Sequence, residues 1–239
     1  MEYFKINTSL NTKIMGKIPQ SKEVVHHCNI WSEPKFIDKI WFEKVDFIPI
    51  VSNPILYPKA KLTDIIYPFG MGSSLKILIS GKLKTIIEKN RNHGLQFFQC
   101  SIFQNGIEYS DYWLLSVYEV DNHFIDFEKS IIFYRKMNLE KIHEPIIFSG
   151  SEEKFNSKIH EKEIHDELFI KNIFIKDTVC ENFFLLRYVY GGVGYFVNEK
   201  LKKEIEDAGC TGIEFQPSEL SYHEWVVSGG EREKIYGKS

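Results

Sequence analysis

The sequence predicts an α+β fold, an antiparallel or mixed sheet with a few short helices that contains two related strand-helix-strand units. Three observations predict it. Six of the eight prolines, Pro19, Pro34, Pro49, Pro54, Pro58 and Pro68, fall in the first seventy residues, and each disfavours helix at the residue before it. From Leu75 onward, short β-branched and aromatic runs alternate with turn residues. Finally, residues 79–99 match residues 197–217 at a constant offset of 118, without a gap.

Taken in chain order, the first stretch (1–72) reads as irregular structure with short strands. Its best helical segment is a turn and a half across Pro34–Trp41. Leu75–Ile79 reads as a strand, and Ser80 is placed to accept first-turn amides as an N-cap. Leu83, Ile86 and Ile87 then share one helix face, and Gly94 closes the stretch that follows. Leu95–Phe103 and Tyr112–Val120 read as two strands of a hairpin, with the Asn105-Gly106 turn signal between them. Ile131–Tyr134, Glu144–Phe148, Phe169–Ile175 and Phe183–Tyr190 are further strand or core runs, and Ser149–Glu167 is a charged segment.

The offset of 118 pairs Lys82 with Lys200, Leu83 with Leu201, Lys84 with Lys202, Ile87 with Ile205, Glu88 with Glu206, Gly94 with Gly212 and Phe97 with Phe215. Independent positions would give about one or two identities, so the match marks an internal repeat. Its unit is strand, cap residue (Ser80 or Asn198), helix, glycine, strand, with Gly209 as the expected left-handed residue after the second helix. The chain then parses as one compact domain over 1–239. Its parts are 1–72, a strand-helix-hairpin unit over 73–135, a charged segment over 136–182, and a second strand-helix-strand unit with a tail over 183–239.

Composition excludes several function classes. Apolar residues make up 43% of the 239 and charged residues 26%, and no run of 18 apolar residues is present, which argues against a membrane partner and against disorder. Thirty basic residues face 33 acidic ones, and only Arg91, Arg135, Arg187 and Arg232 are arginines, so nucleic acid is not expected as a partner. The N-terminal Met1–Asn7 lacks the features of a signal peptide, so a cytoplasmic location is expected. Cys28, Cys100, Cys180 and Cys210 form no CxxC pair and read as free thiols, buried as small hydrophobes.

No constellation of residues points to catalysis, a metal or a cofactor. His160 and His165 bracket a zincin-like run, but a spacing of five places them on different sides of a helix. The adjacent pair His26-His27 beside Cys28 points apart in most backbone conformations. Tyr190–Gly194 lacks phosphate-loop spacing and reads as a hairpin turn, and Ser149–Ser151 and Ser228–Gly230 read as turns. Four tryptophans remain. Trp113, in an apolar strand, reads as core; Trp225, in a polar stretch, is evenly balanced between the core and an edge or interface position; Trp31 and Trp41 are open between core and interface.

Several blocks together resemble immunity family eleven, from the immunity proteins of bacterial polymorphic toxin systems. They are Leu62–Ile66, Ile79–Lys84 with Leu95–Phe98, Tyr112–Val117, the Val120–Ser130 run with its acidic Ile125–Ser130 element, and Tyr195–Lys202 through Thr211–Phe215. The resemblance implies a protein without a catalytic site that binds and blocks a cognate toxin domain encoded by a neighbouring gene. A cytoplasmic inhibitor implies a toxin acting there, neutralised by occlusion of its active site. Against a basic toxin, the contact candidates are Asp121, Asp126 (which also suits a turn cap), Glu128, Glu152, Glu153, Glu161, Glu163, Asp166, Glu167 and Trp225. The rival readings are a small-molecule-modifying enzyme with scattered carboxylates and a structural adaptor.

Overall fold

Residues with one apolar face and a cap build the first repeat as its pattern predicts. In a computed structural model describing residues 1–67, 70–71, 75–137 and 143–238, the Leu83 N–H donates to Ser80 Oγ at 3.2 Å. The helix from Gly81 to Asn90 buries Leu83, Ile86 and Ile87. Each such side chain contributes about 1.5–3 kcal/mol relative to exposure. Pro68 and the expected boundary between 72 and 73 lie outside the described residues.

The strands run β1 Tyr3–Thr8, β2 Ser21–Val25, β3 Asn53–Leu56, β4 Ile65–Ile66, β5 Ile77–Ser80, β6 Leu95–Gln99, β7 Ile102–Gln104 and β8 Ile107–Tyr109. They continue with β9 Tyr112–Val117, β10 Ile131–Arg135, β11 Ile146–Phe148, β12 Glu167–Asn172, β13 Phe183–Val189, β14 Gly192–Asn198 and β15 Ile213–Pro217. The helices are α1 Thr12–Met15, α2 Gly81–Asn90, α3 Glu152–Glu161, α4 Glu199–Asp207, α5 Tyr222–Val226 and α6 Glu231–Tyr236. The fold class is therefore α+β with mixed and antiparallel sheets and short helices. Their orders are β11-β10-β12-β13-β14-β1-β15, β2-β3-β7-β8 and β4-β5-β9-β6.

The chain divides into two compact units. The first comprises Met1–Ile6, Asp121–Glu199 and Phe215–Ile235; the second comprises Asn7–Val120, Lys200–Glu214 and Tyr236–Ser239. The core of the first is aromatic. Phe184 lies 5.6 Å from Phe196 and 5.2 Å from Tyr3, and Phe127 lies 5.1 Å from Phe155, the one buried residue of α3. The core of the second gathers Phe36, Ile37, Ile40, Leu56, Ile66, Leu78, Phe98, Ile102 and Leu114.

Both copies of the repeat are strand, helix, strand, with the paired Gly94 and Gly212 at φ +71° and +80°. Such values suit glycine, because a Cβ crowds the backbone there. The likeness extends to a third strand. β9 lies between β5 and β6, and β1 lies between β14 and β15. Ser80 pairs with Tyr112, just as Asn198 pairs with Tyr3. Each tyrosine is buried and donates its hydroxyl to a backbone carbonyl, Tyr112 to Thr63 at 3.0 Å and Tyr3 to Val179 at 2.9 Å.

Within the second unit, Asp64 ties segments from both halves of the sequence together. Its carboxylate accepts from Ser80 Oγ at 2.6 Å and from the Thr211 N–H at 2.7 Å, with Lys82 Nζ at 3.2 Å. Its own N–H donates to the Thr211 carbonyl.

Several local expectations change. The helical turn near Pro34 shrinks to a 3-10 turn over Ile37–Lys39. Leu95–Phe103 is two strands in different sheets: β6 pairs with β9, whereas β7 pairs with β8 through the Asn105-Gly106 turn. The charged segment 149–167 contains α3. Of the four free cysteines, Cys100 is buried, Cys28 and Cys210 are partly exposed, and Cys180 is exposed.

Candidate functional site

On the first unit, α3 begins where Ser151 Oγ accepts the Lys154 N–H at 3.3 Å, and it turns Phe155 inward. That orientation leaves Glu152, Glu153 and Glu161 exposed, together with Glu163 and Glu167 beyond the helix. Packing of Phe127 on Phe155 brings the turn at Asp126–Glu128 to the same region. These acids are interleaved with cations: Lys158 pairs with Glu161, Arg135 with Glu167 at 3.5 Å, and Lys136 with Glu163 at 3.8 Å.

Other members of the expected set are held in the structure. Asp166 is buried and accepts from Met137 N at 2.8 Å, Tyr134 Oη at 2.9 Å and Glu163 N at 3.1 Å. Those bonds, the Met137 amide foremost, hold its carboxyl below the usual carboxylate range. Asp121 is buried and accepts the Leu185 N–H at 3.2 Å. Asp126 caps its turn by accepting the Lys129 N–H at 3.2 Å and pairs with Lys129 Nζ at 3.0 Å. Trp225, on α5, is 1% exposed, so packing absorbs its surface. Glu128 is exposed.

Large apolar side chains also stand open to solvent. On the second unit, Trp31 is 82% exposed, Trp41 60% and Ile48 88%. Sequence reasoning left both tryptophans open, because an outward and an inward tryptophan leave the same local trace. Trp113, expected in the core, is half-buried in the floor of an open groove of about 500 Å3. Lys84 Nζ lies 4.8 Å above its ring and 5.0 Å above that of Phe97, and the same amine pairs with Glu88 at 2.7 Å.

Among the described residues, no group of three or more His, Cys, Asp or Glu side chains is disposed to hold a metal ion. His160 lies on α3 and His165 beyond its end. Nor is any described helix long and apolar enough to cross a membrane. What these surfaces offer chemically is contact: exposed tryptophans, an acidic face interleaved with lysines, and a cation stacked on aromatic rings.

No curated protein sequence matches the chain. The model of the Immunity protein family (Imm11) matches residues 59–219, which include the Asp64, Ser80 and Thr211 junction and both copies of the repeat. With two thirds of its length so matched, the chain belongs to the Immunity protein family.

Proposed function

We propose that this protein binds a cognate toxin domain encoded by a neighbouring gene and neutralises it in the cytoplasm by covering its active site. The observation that carries the reading is the family match across residues 59–219. In this mechanism the inhibitor needs no catalytic residue, metal or cofactor of its own, and its partner is a protein, not nucleic acid or membrane. Specific inhibition requires a surface of about 800 Å2 on each partner, with its energy concentrated in a few anchors. The exposed acids Glu128, Glu152, Glu153, Glu161, Glu163 and Glu167 would steer association with a basic toxin, raising its rate at low salt.

The test is co-expression with the adjacent toxin. Restored growth, together with co-purification at a one-to-one ratio, is the expected outcome. If the protein neither rescues growth nor co-purifies, the reading is wrong.

A further inference from the structure

The connection between β2 and β3 spans residues 26–52, far longer than an ordinary loop, and loops of that length usually carry function. It is firmly anchored. Phe36, Ile37 and Ile40 are buried in the core of the second unit. The Ile37 N–H donates to the Ile50 carbonyl at 3.0 Å, and the Ile50 N–H to Lys35 at 2.9 Å. Gln96 holds both polar groups of Val45, at 3.0 and 2.8 Å. Lys76, itself buried, donates to the Ile40 carbonyl at 2.5 Å.

Against these anchors a pattern repeats three times. Ile30, Ile40 and Phe47 pack on the core, and the residue after each, Trp31, Trp41 and Ile48, faces out. The inward neighbour supplies the packing, and the outward side chain stays largely exposed. Local hydrogen bonds order the segment, the Trp31 backbone N–H donating to Asn29 Oδ1 at 3.0 Å and the Trp41 indole Nε1 to the Asp38 carbonyl at 3.1 Å. Preorganisation of this kind lowers the ordering cost of binding.

We infer that this loop is the docking element for the cognate toxin domain, with Trp31, Trp41 and Ile48 entering an apolar cleft on it. The inference rests on the proposed toxin-binding function. Area supports it: at their observed exposure the two tryptophans offer roughly 350 Å2, a large part of the about 800 Å2 a specific interface needs on one side. Charge defines the partner's chemistry. Glu33, Asp38, Glu43 and Asp46 nearly balance Lys35, Lys39 and Lys44, so the loop matches an apolar cleft and neither a polyanion nor an acidic lipid surface. The loop lies outside residues 59–219, the stretch that the family model matches.

The test measures binding of the full chain to a catalytically inactivated toxin domain from the neighbouring gene, at low and high salt. Trp31→Ala and Trp41→Ala are each expected to weaken binding by about 30-fold, and the double variant by more than about 100-fold, with little dependence on salt. Ile235→Ser, which alters an exposed apolar residue of α6 outside the loop, should leave affinity unchanged. Circular dichroism confirms folding, and Trp41→Phe should recover part of the loss. Tight wild-type binding that the double variant retains within about threefold overturns the inference and leaves the proposed function standing. Absence of wild-type binding overturns both. Homodimers or uptake onto zwitterionic lipid vesicles, lost in the double variant while toxin affinity is intact, would assign the loop to another occupant and refute the proposal.

Discussion

Replacing Asp64 by alanine removes two short hydrogen bonds to a buried carboxylate, from Ser80 Oγ at 2.6 Å and Thr211 N at 2.7 Å. A hydrogen bond to a charged group contributes about 1.5–3 kcal/mol, and stranding a buried donor costs about 1–3 kcal/mol. Lys82 adds little, because its side chain is 45% exposed and water screens the pair. The expected loss is therefore about 3–5 kcal/mol, or roughly 10–15 °C in melting temperature for a chain of this size. Asp64→Asn should cost only about 1–2 kcal/mol, because its carbonyl can still accept from Thr211 while its amide turns to Ser80. Lys82→Ala should cost under about 1 kcal/mol. Urea titration followed by far-ultraviolet circular dichroism ranks the three variants. A loss under about 1 kcal/mol for Asp64→Ala, or a larger loss for Lys82→Ala than for Asp64→Asn, would refute the assignment of Asp64 as a structural junction.

Further outcomes are expected. Gly212→Ala should destabilise by about 2–4 kcal/mol, since a Cβ at φ +80° would sit 2.6 Å from Thr63 Cβ; Gly106→Ala, also at positive φ but with open space around it, should cost about 1 kcal/mol in the same melts. Burial pushes the Cys100 thiol up to about 12 and that of Cys210 to about 11. Iodoacetamide near neutral pH should therefore modify the exposed Cys180 first and reach Cys100 only after denaturation, as read by peptide mass spectrometry. Burial lowers Lys76 from 10.5 to about 8. Between those values the unfolded chain binds the extra proton, so stability should rise with pH across the window, by at most about 1.4 kcal/mol per pH unit for one group. Below pH 8 the penalty is fully present, and Lys76→Met should flatten its part of the rise in denaturation midpoints measured from pH 7 to 10.5.

What could be read from the sequence was local. Ser80 as a cap, the apolar face of α2, the Asn105-Gly106 turn and the paired Gly94 and Gly212 each follow from neighbours within a few residues. Long-range choices left no such trace. Leu95–Phe103 reads as one strand, because nothing local says that Cys100 donates its N–H to Tyr112 while Ile102 pairs with Tyr109 in another sheet. β1 carries no signal that its partner lies near residue 198. The surface residues were hardest to place. Polar neighbours left Trp225 evenly balanced between the core and an edge, and a single helical turn carries it inward while His223 and Glu224 occupy other faces. The apolar neighbours Ile30 and Ile40 left Trp31 and Trp41 open between core and interface, and both point out. The acidic positions divided by burial: Asp121 and Asp166 are claimed by backbone amides, and the glutamates of α3 stay exposed.

The place of β1 between β14 and β15 also sets a timetable. Tyr3 is synthesised about 195 residues before its register partner Asn198. At translation rates of about 5–20 residues per second, β1 waits roughly 10–40 seconds with its edges unpaired. That wait makes β1 a place where a chaperone, or an unwanted edge-to-edge pairing, meets the chain.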